Sequence, residues 1–300
     1  MKELFTASWQ HIRQSFSILT YGLCFLVISI ACWLNYSGVF SLWPEESSFY
    51  HSLLFLFLLF FIFFLLGFLF TALQRKAPIN FTGNYKWLLL LAPLLFSLKV
   101  ALPFDEALLQ NTSPSFQTAF QKPAGWLGAL LFMIPAIGLL HFFFEKKQGL
   151  YFIKKSNNFQ PYFILLLCML PLLVAAAVQP AFQEVYPRAK DVTMALGSSA
   201  SLIHYSLFEL SYALDFITIE LFFRGLLIAV LSRVLGVHCI IPVALFYFSI
   251  HLGKPMQEAI SSFFGGLILG AVSYETKSIW GGWLVHCGIA LLMELLAFVF

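Results

Sequence analysis

The chain has 300 residues, 60% of them hydrophobic and only 10% charged, with 36 phenylalanines. A formal net charge of +3, with no basic cluster set among exposed aromatics, gives no footing for nucleic-acid binding. Apolar runs of about 20 residues recur, each enough to cross roughly 30 Å of hydrocarbon, and no segment alternates as a barrel strand would. Backbone polar groups must be satisfied internally in lipid, so the expected fold is all-α, a polytopic bundle of transmembrane helices.

Lys2 and Arg13 precede the first apolar run, residues 16–36. That run is longer than the apolar core of a signal peptide and lacks a small-residue cleavage site, so it reads as a span; Ser29-Ile30-Ala31-Cys32 is a faint lipoprotein-like box inside it. Further spans are expected at 49–73, 87–103, 126–144 and 162–182, with Lys99 snorkelling from the third. The loops alternate in charge. Arg75, Lys76 and Lys86 follow the second span, and Lys146, Lys147, Lys154 and Lys155 follow the fourth. Glu45, Glu46, Asp105 and Glu106, with Lys122, occupy the others, so the positive-inside rule places the N-terminus in the cytoplasm. The five cysteines lie in apolar runs without a C-x-x-C pair and read as buried small side chains.

Residues 200–235 are helix-compatible throughout and would extend about 54 Å as one α-helix. That exceeds one crossing, which predicts a break near 215–218. Spans at 217–235, 237–251, 256–274 and 278–299 bring the total to nine or ten and divide the chain into a five-span region, 1–199, and a core, 200–300. Gly265-Gly266, Gly270 and Gly281-Gly282 mark places where helices can approach closely.

The core also carries Glu220, Arg224, His251, Glu258, His286 and Glu294. Ionisable side chains are costly in a membrane and mark function by default. Counted from the turns near Gly236 and Lys277, Glu220, His251, Glu258 and Glu294 fall at about 24, 22, 28 and 26 Å, and His286 some 8 to 11 Å nearer the turns than Glu220 and His251. Imidazoles and carboxylates at similar depth suit water activation by a general base, or a metal ion such as zinc held through His251 and His286. Glu220 and Arg224, at i and i+4, also read as a helix-surface pair. Glu258 reads equally as a helix N-terminal carboxylate and Glu294 as a headgroup contact.

Glu220-Leu-Phe-Phe-Arg224-Gly-Leu-Leu resembles the E-E-x-x-x-R motif of the CAAX protease and bacteriocin-processing (CPBP, or Abi) intramembrane peptidases. Tyr247-Phe-Ser-Ile-His251-Leu resembles that family's F-x-x-x-H, and Gly265-Gly266 to Gly270, then Thr276-Lys-Ser-Ile-Trp280 and His286, its glycine-rich helix and closing H-x-x-x-N. The sequence departs from the family at Ile219, where the first Glu would stand, at Tyr247 and at Ala290.

The resemblance implies an endopeptidase acting within or beside the membrane. Glu220, or Glu258 or Glu294 in its stead, would abstract a proton from water, His251 and His286 would polarise the water or hold the oxyanion, and Arg224 would keep the carboxylate ionised. The partners would be lipid and a membrane-embedded or juxtamembrane peptide or protein, and the location a bacterial cytoplasmic membrane. The alternative is an inactive relative on the same scaffold, serving as an immunity, scaffold or peptide-binding protein.

Overall fold

A computed structural model describes residues 16–38, 41–42, 48–76, 79, 83–145 and 159–300. Lys2, Arg13, Glu45, Glu46, Lys146, Lys147, Lys154 and Lys155 lie outside these residues. In chain order the helices are α1 (Ile18–Tyr36), α2 (Phe49–Arg75), α3 (Leu88–Ala101), α4 (Phe104–Leu109), α5 (Pro114–Glu145), α6 (Gln160–Ala177), α7 (Pro180–Val185) and α8 (Lys190–Leu196). They continue with α9 (Leu202–Glu220), a π-helical run Leu221–Ile228, α10 (Ala229–Leu235), α11 (Ile240–Ser249), α12 (Met256–Thr276) and α13 (Trp280–Val299).

Every expected span is helical, and the fold is an all-α polytopic bundle. Among the described residues, six helical segments are long and apolar enough to cross a membrane: Ile18–Tyr36, Phe49–Arg75, Pro114–Phe144, Gln160–Ala177, Leu202–Ser249 and Trp280–Val299. α3 and α11, at 14 and 10 residues, are shorter than the roughly 20 residues one crossing needs.

Boundaries differ from expectation in three places. α5 begins at Pro114 and runs through Pro123 and Pro135, because membrane helices re-satisfy the backbone groups that proline frees. The span expected to reach 182 stops at Ala177, and Pro180 starts a new short helix. The third concerns the break expected at 215–218. α9 passes straight through those residues, and Thr218 donates its hydroxyl to the Asp215 carbonyl at 2.6 Å and to Asp215 Oδ1 at 3.0 Å, so the polar groups there are satisfied within the helix. The irregularity comes one turn later, as the π-helical run. Four of the five cysteines are buried as expected, whereas Cys168 is exposed on α6.

The chain divides into two compact units, each discontinuous in sequence. Unit 1 comprises Met1–Ala101, Ile137–Ser156 and Leu221–Ile279. In it α11 packs between α2 and α12, and α2 also packs on α3. Glycines set the spacing. A Cβ on Gly67 would overlap Pro242, one on Gly266 would lie 3.2 Å from Ala244 Cα, and one on Gly270 would lie 3.1 Å from Ile240 Cγ2. Phe60, Phe64, Phe96, Phe222, Phe223 and Phe246 fill the space between these helices, with ring centroids 4.9 to 6.0 Å apart for the contacts made by Phe96 with Phe246 and by Phe222 with Phe223. In lipid such van der Waals packing, rather than expulsion of water, holds helices together.

Lys76 and Lys277 cap α2 and α12 in the left-handed conformation, at φ 50° and 54°. That conformation costs a side-chain-bearing residue about 1–2 kcal/mol. A cation at a helix C-terminus returns only about 0.3–1 kcal/mol through the helix dipole.

Unit 2 comprises Leu102–Ala136, Asn157–Glu220 and Trp280–Phe300. Here α13 packs on α6 and α9. Ser201 opens α9: its backbone N–H donates to the side chain three residues on, His204 Nδ1, at 3.1 Å. Trp283 Nε1–H and the Cys287 thiol both reach the Ala213 carbonyl, at 3.1 and 3.4 Å, stapling α13 to α9.

Candidate active site

Unit 2 carries Glu220 at the last position of α9, fully buried at 0% exposure. Its Oε1 lies 3.3 Å from His286 Nδ1 on α13. With the carboxylate ionised, Nδ1–H donates and Nε2 becomes the ring nitrogen on the side away from Glu220. Phe216, one turn before Glu220, lies against the imidazole with ring centroids 4.3 Å apart and fixes its plane.

The carboxylate approaches α13 this closely because position 282 is glycine; a Cβ there would overlap Glu220 Oε2. The sequence count had separated His286 from Glu220 by about 8 to 11 Å in depth. A π-helical run rises less per residue than an α-helix, so counting at 1.5 Å across Leu221–Ile228 overstated the depth of Glu220. Ile219, at the position of the family's first Glu, is buried beside it.

Unit 1 carries Arg224, Tyr247 and His251 as a stack. Arg224, only 1% exposed, sits in the π-helical run with its guanidinium 4.4 Å from the centroid of the Tyr247 ring and 5.9 Å from that of Phe223. The Tyr247 ring is 4.6 Å from that of His251. His251 Nδ1 is 2.8 Å from the Tyr247 carbonyl; a carbonyl only accepts, so Nδ1 carries hydrogen and Nε2 of the neutral ring is the basic nitrogen. The turn after His251 is clamped by α1: Asn35 Nδ2 donates to the Leu252 carbonyl at 2.7 Å and the Tyr36 hydroxyl to the Lys254 carbonyl at 2.6 Å.

The two other carboxylates have local work. Glu258, in the first turn of α12, ion-pairs with Lys254 four residues earlier. Glu294 is 3% exposed and accepts from the backbone N–H groups of Arg188 and Ala189, at 2.9 and 3.1 Å, fastening α13 to the segment that leads into α8. Thus Glu220 and His286 are brought together in one unit, Arg224, Tyr247 and His251 in the other, and Glu258 and Glu294 are engaged elsewhere.

Among the described residues no group of three or more His, Cys, Asp or Glu side chains is placed to hold a metal ion.

Sequence reasoning passed over Phe216 and did not foresee that Gly282 makes room for the Glu220 carboxylate. Phe216 sits at i−4 from Glu220, a same-face spacing that would have pointed to it.

Residues 202–292 match the family model described as Rce1-like, Type II CAAX prenyl endopeptidase Rce1-like. The match spans all four motif segments and bears out the resemblance drawn from them. No curated protein and no solved structure matches the chain.

Proposed function

We propose, from the match of residues 202–292 to the Rce1-like endopeptidases, that this chain is an intramembrane peptidase hydrolysing a peptide bond within or next to the bilayer. The observation that carries the reading is the buried Glu220 carboxylate facing His286 Nδ1 at 3.3 Å. A carboxylate held by an imidazole N–H in an apolar interior is oriented to take a proton from water, which is what general-base activation requires.

In this reading Glu220 takes a proton from water as its oxygen attacks the scissile carbonyl. His286, tied to the same carboxylate through Nδ1, orients it. Collapse of the tetrahedral intermediate breaks the C–N bond, and the proton held by Glu220 passes to the leaving amine. His251 takes the oxyanion-stabilising role that the family resemblance assigns it, donating from Nε2 when its ring is protonated. Arg224 keeps Tyr247, and through it the His251 ring, in place. The substrate class is a membrane-embedded or juxtamembrane peptide, with prenylated CAAX peptides the first to test because the matched family is described by that activity.

The test is cleavage of farnesylated and unmodified membrane peptides by the full chain reconstituted in liposomes. Glu220→Gln is expected to lower the rate by about 10² to 10⁴, and His251→Ala to abolish cleavage, with Glu258→Gln and Glu294→Gln sparing it per folded molecule. Should the wild type be inert on the whole panel while Ile219→Glu with Ala290→Asn switches cleavage on, the chain is the inactive relative and the peptide-binding role replaces this one.

A further inference from the structure

The helix ends of unit 1 are asymmetric in charge. α2 ends at Arg75 and Lys76, α10 at Arg233, and α12 at Lys277, while Lys86 lies in the 3₁₀ turn that opens α3. These ends gather at one end of the unit, because α2 and α12 flank α11 with Gly67 against Pro242 and Gly270 against Ile240, so that both finish near its start. Arg75 is within electrostatic reach of His238 in the turn before α11, and Arg233 of Lys277. Among the described side chains, Arg75, Lys76, Lys86, Arg233 and Lys277 face a single acid here, Glu275, and all five cations are exposed.

Two of the cations stand where glycine would be cheaper. Lys76 and Lys277 both hold left-handed φ at helix C-caps, a position that favours glycine, and the helix dipole returns less than that conformation costs. The chain therefore keeps lysine at both caps for something beyond helix termination. Loss of water around it pushes the Lys277 ammonium below its ordinary value, while nearby Glu275 raises it and Arg233 lowers it by less. Aromatic rings of the kind that sit at headgroup level lie beside two of them, Trp87 by Lys86 at 5.5 Å and Tyr274 by Lys277 at 4.2 Å from ammonium to ring centroid.

We propose that this end of unit 1, built by Arg75, Lys76, Lys86, Arg233 and Lys277, is a docking surface for the phosphate headgroup of an anionic phospholipid. The partner is a lipid rather than a soluble anion because these cations cap membrane-length or membrane-embedded helices and carry interfacial rings, so the phosphate they meet is at headgroup depth. The inference is independent of peptidase activity.

The experiment uses the full chain in nanodiscs of phosphatidylcholine alone or with phosphatidylglycerol, reading the thermal midpoint and the phospholipid retained after detergent extraction. Lys76→Gly and Lys277→Gly remove the charges while keeping the left-handed caps, and Arg233→Gln removes a third. The wild type is expected to melt higher with phosphatidylglycerol and to retain it selectively. Each substitution should cut that selectivity about fivefold and leave the midpoint in phosphatidylcholine unchanged or raised. Equal phosphatidylglycerol retention by the Lys→Gly variants would overturn the proposal, as would an equal upward shift with inorganic phosphate in pure phosphatidylcholine, which would mark a site for free anions.

Discussion

Two neighbouring glycines carry opposite predictions. A methyl group at 282 meets the end of the flexible Glu220 side chain, whereas one at 281 meets the rigid ring of Tyr162. Gly282→Ala is therefore expected to fold, with a thermal midpoint near that of the wild type, and to lose cleavage by about 10²-fold or more because the carboxylate leaves His286. Gly281→Ala is expected to lose about 1–3 kcal/mol of stability instead, seen as a lowered midpoint in detergent. An active Gly282→Ala protein would remove Glu220 from the chemistry. Both glycines were legible in the sequence only as packing positions. What each packs against depends on the rotation of α13 about its axis, which no spacing rule supplies.

At the scale of the helix, the substitute carboxylates separate cleanly. Glu294 satisfies two backbone donors at the entry to α8, and an amide there offers one acceptor where two are needed. Glu294→Gln should cost about 1–3 kcal/mol, measurable as reduced folded yield, with the activity of the molecules that do fold retained. Glu258 makes an i, i+4 pair with Lys254, worth about 0.3–0.5 kcal/mol, so Glu258→Gln should be nearly silent in the same assay. The sequence places Glu294 two turns beyond His286, but does not show that its carboxylate is drawn off by a loop about 105 positions earlier. Helix existence was readable throughout; helix ends were not, since Pro123 and Pro180 obey opposite rules, the first accommodated inside α5 and the second starting α7.

For the molecule as a whole, composition alone settled fold class, because apolar runs of membrane length admit little else. The division into two units was beyond it: each is assembled from segments far apart in the chain, and only tertiary contacts define them. Orientation can still be predicted within unit 1. α1 ends beside the Leu252–Lys254 turn, so it starts at the same end as Lys76 and Lys277, where positive charge gathers. A membrane-impermeant maleimide should label Lys76→Cys and Lys277→Cys from the cytoplasmic side and Lys254→Cys from the opposite side. Labelling of all three from one side would refute this arrangement.

The clamp on the turn after His251 sets a clock during synthesis. Asn35 and its acceptor on Leu252 are 217 residues apart in the chain. At about 5–20 residues per second, the donor enters the membrane roughly 10 to 40 s before its acceptor is made. Until then the first helix waits with an amide and a phenol to satisfy by other means, and the loop bearing His251 takes its final form only after nearly the entire chain has been translated.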